Sequence, residues 1–242
     1  MTATTNKLES TVGQLVTERP ARARIFETFG IDYCCGGKKR LDHALAEEGL
    51  DPKTVLGILN AFDEQAPAVE RDWSTATLTE LADHIEQTHH AYLKKELPRL
   101  EYLVNKVAHR HGGRTPQLVE LAQIFNAFKA ELDSHMRKEE VVLFPICRQL
   151  DLAGEPQRFH CGSVENPIAV MVREHDDAGA ALARMRELTN DYTPPPDACN
   201  TYRALFDALR QLEQDMHRHV HKENSILFPK AAAREAKLTG VA

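Results

Sequence analysis

Two stretches of this 242-residue chain carry the same pattern at the same offsets. His135-Met136-Arg137-Lys138-Glu139 runs on to Leu143-Phe144-Pro145, and His219-Val220-His221-Lys222-Glu223 runs on to Leu227-Phe228-Pro229. His and Glu four residues apart lie on one face of a helix, one turn apart. Composition alone supplies about two His-x3-acid pairs; three occur, and His43–Glu47 is read as the accident. What matters is where the other two fall. One lies on the run Leu121, Phe125, Phe128, Leu132, His135, Glu139, Val142, and the other on Leu205, Leu209, Leu212, Met216, His219, Glu223, Ile226. Steps of three and four mark the inward stripe of a bundled helix. Each His and Glu therefore takes a place where an apolar residue belongs. Burying an unpaired carboxylate costs several kcal/mol or forces it to neutralise. A metal cation is the simplest compensation; the alternative is two buried His–Glu hydrogen bonds with no metal.

The repeat extends backwards. His90 lies 45 residues before His135, and His175 lies 44 before His219. His175 sits on an apolar stripe with Ile168, Met171, Ala178, Leu182 and Met185. Both His89 and His90 border the stripe Leu78, Ile85, Leu93, Leu97, Leu100, Val104, and periodicity does not choose between them.

Four long helical stretches follow residue 76. The first opens on the capping box Thr77-Leu78-Thr79-Glu80 and ends at His111-Gly112-Gly113. The second runs from Thr115-Pro116 to Phe144-Pro145, where the proline is expected to end or kink it. The third spans Asn166-Pro167 to about Thr189, and the fourth runs from Asp197 to near Pro229 or shortly after. No convincing strand is present. The expected fold is all-α: an antiparallel four-helix bundle over residues 76–242, a small helical N-terminal domain over 1–64, and a linker over 65–75 anchored by Trp73. A formal charge of −6 and the lack of a basic arm argue against nucleic-acid binding. No apolar run approaches a membrane span, and the first residues lack a signal core, so a soluble cytoplasmic protein is expected. Five cysteines form no obvious disulfide framework. Cys147, Cys161 and Cys199 read as structural or incidental, as do His43, His109, His111 and His160. His217 and His221 flank His219 on other helix faces, and His84 is a neighbour of the first stripe.

His90, His135, Glu139, His175, His219 and Glu223 offer four imidazoles and two carboxylates. Structural zinc would not need six ligands, and calcium and magnesium prefer oxygen. Imidazole with carboxylate suits iron, manganese or zinc. Two metals sharing these residues, with each Glu bridging, would each take two imidazoles and keep positions open for an oxo bridge, water or a small diatomic ligand. Iron adds redox chemistry to that arrangement.

At this point the chain resembles a known family. Residues 76–234 resemble the hemerythrin-like di-iron domain. From about residue 8 the whole chain resembles the Repair of Iron Centers family of bacterial di-iron proteins. The resemblance rests on Ile31-Asp32-Tyr33-Cys34-Cys35-Gly36-Gly37-Lys38, the His89-His90 doublet, His135 to Pro145, Arg173 to Gly179, Thr193-Pro194-Pro195-Pro196, and His219 to Pro229. It implies ligation by His90, His135, His175 and His219, with Glu139 and Glu223 bridging two non-haem irons joined by an oxo group. Alignment on Leu97-Pro98 favours His90 over His89. The implied function is repair of iron–sulfur clusters damaged by nitrosative or oxidative stress, with an iron donor favoured over a turnover enzyme. The expected partners are iron–sulfur proteins with damaged clusters, with nitric oxide or oxygen as small ligands; an oligomer is compatible. A nitric oxide reductase, or a nitric oxide/oxygen-binding protein, is the alternative reading of the same centre.

Cys34-Cys35 marks the N-terminal domain. Lys38, Lys39 and Arg40 are expected to lower the thiol pKa if they lie close, and the pair is read as exchanging iron or nitrosyl groups. Glu174 is read either as a carboxylate beside the centre on an iron-exit path or as a solvated side chain. The recurrence of Lys138 and Lys222 has no evident reason in the sequence.

Overall fold

The computed structural model describes residues 7–65 and 71–240. Of the expected linker, residues 66–70 lie outside the described residues. Among those described, the chain is helical, with only two isolated bridging pairs, Thr11 with Arg40 and Phe159 with Gly162. Contacts divide it into two units.

One unit comprises the residues up to Leu81, Leu150–Gln157 and the segment from His217. It contains α1 (Val12–Glu18), α2 (Ala23–Phe29), α3 (Leu41–Glu47) and α4 (Pro52–Gln65). The Thr11 hydroxyl caps α1 by accepting from the Gln14 amide at 3.2 Å. α2 stops at Gly30, whose φ of +71° suits a residue without a Cβ. The Asp51 carboxylate accepts from the Thr54 amide at 2.9 Å, capping α4, which opens on Pro52. Leu15, Phe26, Leu41, Leu45 and Leu59 form the centre of the core.

Arg22, though buried, is satisfied by a two-pronged pair with Asp63, Nε to Oδ1 at 3.1 Å and Nη2 to Oδ2 at 2.7 Å, and by the Leu15 carbonyl at 2.9 Å. Burial pushes the Asp63 carboxyl up, but Arg22 and Lys7 outweigh it and hold its pKa at about 2. Against about 3.9 in the unfolded chain, this pair contributes fully above pH 4 and is lost as pH falls through 2. Acid titration of unfolding should show a loss of about 2 kcal/mol over that window, absent from Asp63→Asn. Coincident acid profiles would count against the pair.

The other unit comprises Ala82–Gln149 and Arg158–Met216. α5 (Leu78–Ile85), whose first residues up to Leu81 fall in the first unit, opens on the foreseen capping box: the Thr77 amide donates to Glu80 at 2.9 Å, and the Glu80 amide to the Thr77 hydroxyl at 3.1 Å. α6 (Ala91–His111) packs on α7 (Gln117–Lys138), and α7 packs on α9 (Glu165–Leu188). α10 (Asn200–Lys222) joins them through ion pairs Arg186–Glu213 at 2.9 Å and His89–Asp215 at 2.9 Å. The turn into α10 holds Asn190, Asp191 and Tyr192 at φ of 49°, 54° and 52°. Each costs about 1–2 kcal/mol; the Thr189 hydroxyl accepts from the Tyr192 amide at 3.1 Å, and Arg210 donates to the Asp191 carbonyl at 2.8 Å.

Two expected helix ends are corrected. Pro145 and Pro229 stop nothing: α8 (Phe144–Leu152) and α11 (Phe228–Thr239) continue beyond them. The reason is a wide turn before each proline, π2 (Glu139–Leu143) and π3 (Glu223–Leu227); a third, π1 (Glu86–His90), joins α5 to α6. The Phe144 amide reaches back five residues to the Glu139 carbonyl, and the Phe228 amide does the same to Glu223. The loosened ladder admits a ring that would clash in a regular helix and tolerates its missing donor.

Candidate metal centre

Glu139 and Glu223 each open a π turn, and His90 closes one. His90, Glu139, His219 and Glu223 are fully buried, and His175 and His135 nearly so. The His90 and His135 Nε2 atoms lie 3.2 and 3.4 Å from Glu139 Oε2. The His175 and His135 Nε2 atoms face each other at 3.2 Å, and His219 Nε2 lies 3.1 Å from Glu223 Oε1.

The outer ring nitrogens fix the imidazoles. His90 Nδ1 lies 2.8 Å from Glu140, itself paired with Lys94 at 2.6 Å. His135 Nδ1 lies 2.9 Å from Glu174, which also pairs with Lys138, so the recurrence of Lys138 acquires a role. Burial raises the Glu140 and Glu174 carboxyls, but the lysine and histidine contacts prevail, and both lie below the ordinary carboxylate range. A carboxylate accepting from Nδ1–H leaves the Nε2 lone pair directed inward, the tautomer a ligand needs.

Neither oxygen of Glu139 accepts a hydrogen bond, although both are buried. The orphaned carboxylate among converging nitrogen atoms fits a cation. Within one unit the ligand atoms of His90 and Glu139 lie within 4.8 Å of one another, as do those of His135, Glu139 and His175, giving two groups; in the other unit those of His219 and Glu223 do the same. Glu139 belongs to both of the first two groups.

His89 is buried but turned to Asp215, and lies outside both groups. The anchors Glu140 and Asp215 escaped the sequence reading; the Glu139-Glu140 doublet was the available signal. The expected inward stripe through Val142 also shifts, since π2 leaves Val142 half-buried and turns Leu143 and Phe144 inward. A cleft of about 430 Å³ reaches His135 and His175, bordered by Glu131, Lys138, Glu174 and Asp177.

Cys34 and Cys35 form a separate group with Asp32. The Asp32 carboxylate accepts from the Cys34, Cys35 and Gly36 amides at 2.9, 3.0 and 2.8 Å, and the two sulfurs lie 3.8 Å apart. The expected lowering of thiol pKa is corrected at Cys34. The neighbouring Cys35 thiol, burial and Asp32 push it well above the ordinary thiol value, while Lys39 and Arg40 pair with Glu47 and Asp42. His221, also buried, lies 3.3 Å from the Tyr33 carbonyl, and His217 meets the Tyr33 ring edge-on.

Residues 81–231 match the hemerythrin HHE cation binding domain, and residues 8–63 match ScdA_N, a domain of unknown function. A cation-binding helical bundle of hemerythrin type thus follows a ScdA_N module. The chain is 36% identical over 224 residues to the iron-sulfur cluster repair protein YtfE of Citrobacter koseri, covering 93% of this chain and 97% of that protein. Escherichia coli O157:H7 YtfE gives the same figures, and Edwardsiella ictaluri YtfE is 40% identical over 220 residues, with 91% and 95% covered. The chain belongs to the YtfE-type Repair of Iron Centers family of iron–sulfur cluster repair proteins. No helix among the described residues is long and apolar enough to cross a membrane.

Proposed function

We propose that this protein restores iron–sulfur clusters damaged by nitrosative or oxidative stress by donating iron. His90, His135, His175 and His219, with Glu139 and Glu223, would hold two non-haem irons and leave room for an oxo group. Bound iron supplies redox chemistry and the ions an incomplete cluster lacks. The observation carrying this reading is the buried, hydrogen-bond-free carboxylate of Glu139 among inward-facing imidazoles; the names of the similar proteins supply the repair role. The partners are iron–sulfur proteins with incomplete clusters, and the setting is the cytoplasm.

The chain's own residues govern release. Glu174 steadies the His135 ring, and Lys138 steadies Glu174. Both border the cleft that reaches the ligands, and that cleft is the exit path. The Glu174→Gln variant should lose iron to a chelator about ten- to a hundredfold faster, because the neutral amide holds the Nδ1–H less firmly. An unchanged release rate would remove Glu174 from the path.

The decisive experiment mixes the iron-loaded chain with an enzyme carrying an incomplete cluster. Stoichiometric transfer of iron, with recovery of that enzyme and no catalytic turnover, is the expected result. Sustained consumption of nitric oxide over many cycles, without iron transfer, would instead establish the reductase reading.

A further inference from the structure

A second cleft, of about 390 Å³, lies wholly within the unit that holds the N-terminal helices. Four cationic side chains line it, Arg24, Arg71, Arg218 and Lys222, together with Trp73. Among the described residues no carboxylate lines it, although the 36 acidic residues of the chain outnumber its 30 lysines and arginines. Like charges gathered in a concavity repel one another and raise a positive potential there. Neighbouring acids offset it in part: Arg71 pairs with Glu80 at 2.8 Å, and Arg218 lies 3.7 Å from Glu27. The exposed Arg24 has no ion pair among the described residues. The Arg71 guanidinium also lies over the Trp73 ring, 4.5 Å from its centroid, which keeps this donor fork near the cleft wall.

The volume falls in the range of small-molecule sites, about 300–1,000 Å³. Guanidinium groups match carboxylate and phosphate oxygens two at a time, and three of them lining one cleft favour a ligand with more than one anionic group. We infer that this cleft binds a small polyanion bearing two or more carboxylate or phosphate groups, held by Arg24, Arg71 and Arg218. None of the six His/Glu residues lines this cleft, so the inference stands whether or not the iron-donor reading holds.

Trp73 is the only tryptophan in the chain, so its fluorescence reports on this cleft. The metal-loaded full chain is titrated at low salt with tricarballylate, a tricarboxylate, and separately with inorganic pyrophosphate, with metal content measured before and after. A saturable change with at least one probe, weakened about tenfold by Arg24→Gln or Arg218→Gln and unchanged by the remote Lys106→Gln, is expected. The responding probe identifies carboxylate or phosphate as the favoured chemistry. No response to either at about 5 mM would overturn the inference; so would equal weakening by Lys106→Gln, or a signal that follows loss of metal. All three substitutions are at exposed positions, so folding should survive them.

Discussion

Replacing Glu139 with leucine should reduce bound iron to at most about one-tenth of that in the parent chain, while making the metal-free protein more stable. The two effects share one cause. Glu139 is fully buried, neither oxygen accepts a hydrogen bond, and it belongs to both groups of candidate ligands. A bound cation compensates its charge; without one, the carboxylate remains a desolvated group facing imidazole rings. Exchanging such a group for a well-packed apolar side chain is worth about 1–4 kcal/mol in comparable buried settings. Metal analysis and thermal unfolding of stripped protein read the two halves independently. Full iron occupancy in the variant would remove Glu139 from the ligand set. A metal-free variant less stable than its metal-free parent would show that the carboxylate is not an electrostatic burden.

The double variant Cys34→Ser, Cys35→Ser should retain the parent's iron content yet repair a damaged cluster at least about tenfold more slowly. The thiols are outside both His/Glu groups and form a separate one with Asp32, so their loss leaves the proposed His/Glu ligands in place. They are nevertheless organised: Asp32 pins three successive amides around them, and Cys34 is buried beside Cys35. The raised Cys34 thiol pKa makes it a poor free nucleophile at neutral pH, and a metal that displaces its proton is the natural way to recruit it. Time courses of activity recovery in an iron–sulfur enzyme, set beside iron content, separate the two properties. Undiminished repair would reduce the pair to a structural turn.

The stripes that carry His135, Glu139, His219 and Glu223 were legible because helical periodicity makes a buried polar residue conspicuous; the burial of all four follows that reading. Cap chemistry was equally local, so the Thr77-Glu80 capping box could be read directly. The adjacent histidines were harder. His89 and His90 are both buried, and their separation depends on partners distant in sequence, Asp215 for one and Glu140 for the other. Pro145 and Pro229 misled for another reason: a proline rule assumes a regular ladder, whereas the preceding turn here is widened. The basic run after Cys35 misled because charge in sequence does not fix direction in space, and Lys39 and Arg40 turn to Glu47 and Asp42.

The π turns also constrain which chain lengths are tolerated. Each adds roughly one residue to a helix, an angular step of about 100°. Val141, 66% exposed within π2, contributes little packing of its own. Deleting it would preserve the His135–Glu139 spacing but rotate Phe144, Cys147 and Leu150 off the core face and bring Pro145 against a closed turn. Substitution of this residue is therefore mild where its omission is ruinous, so length variation among functional descendants of this sequence belongs in the loops and not at this solvent-facing valine.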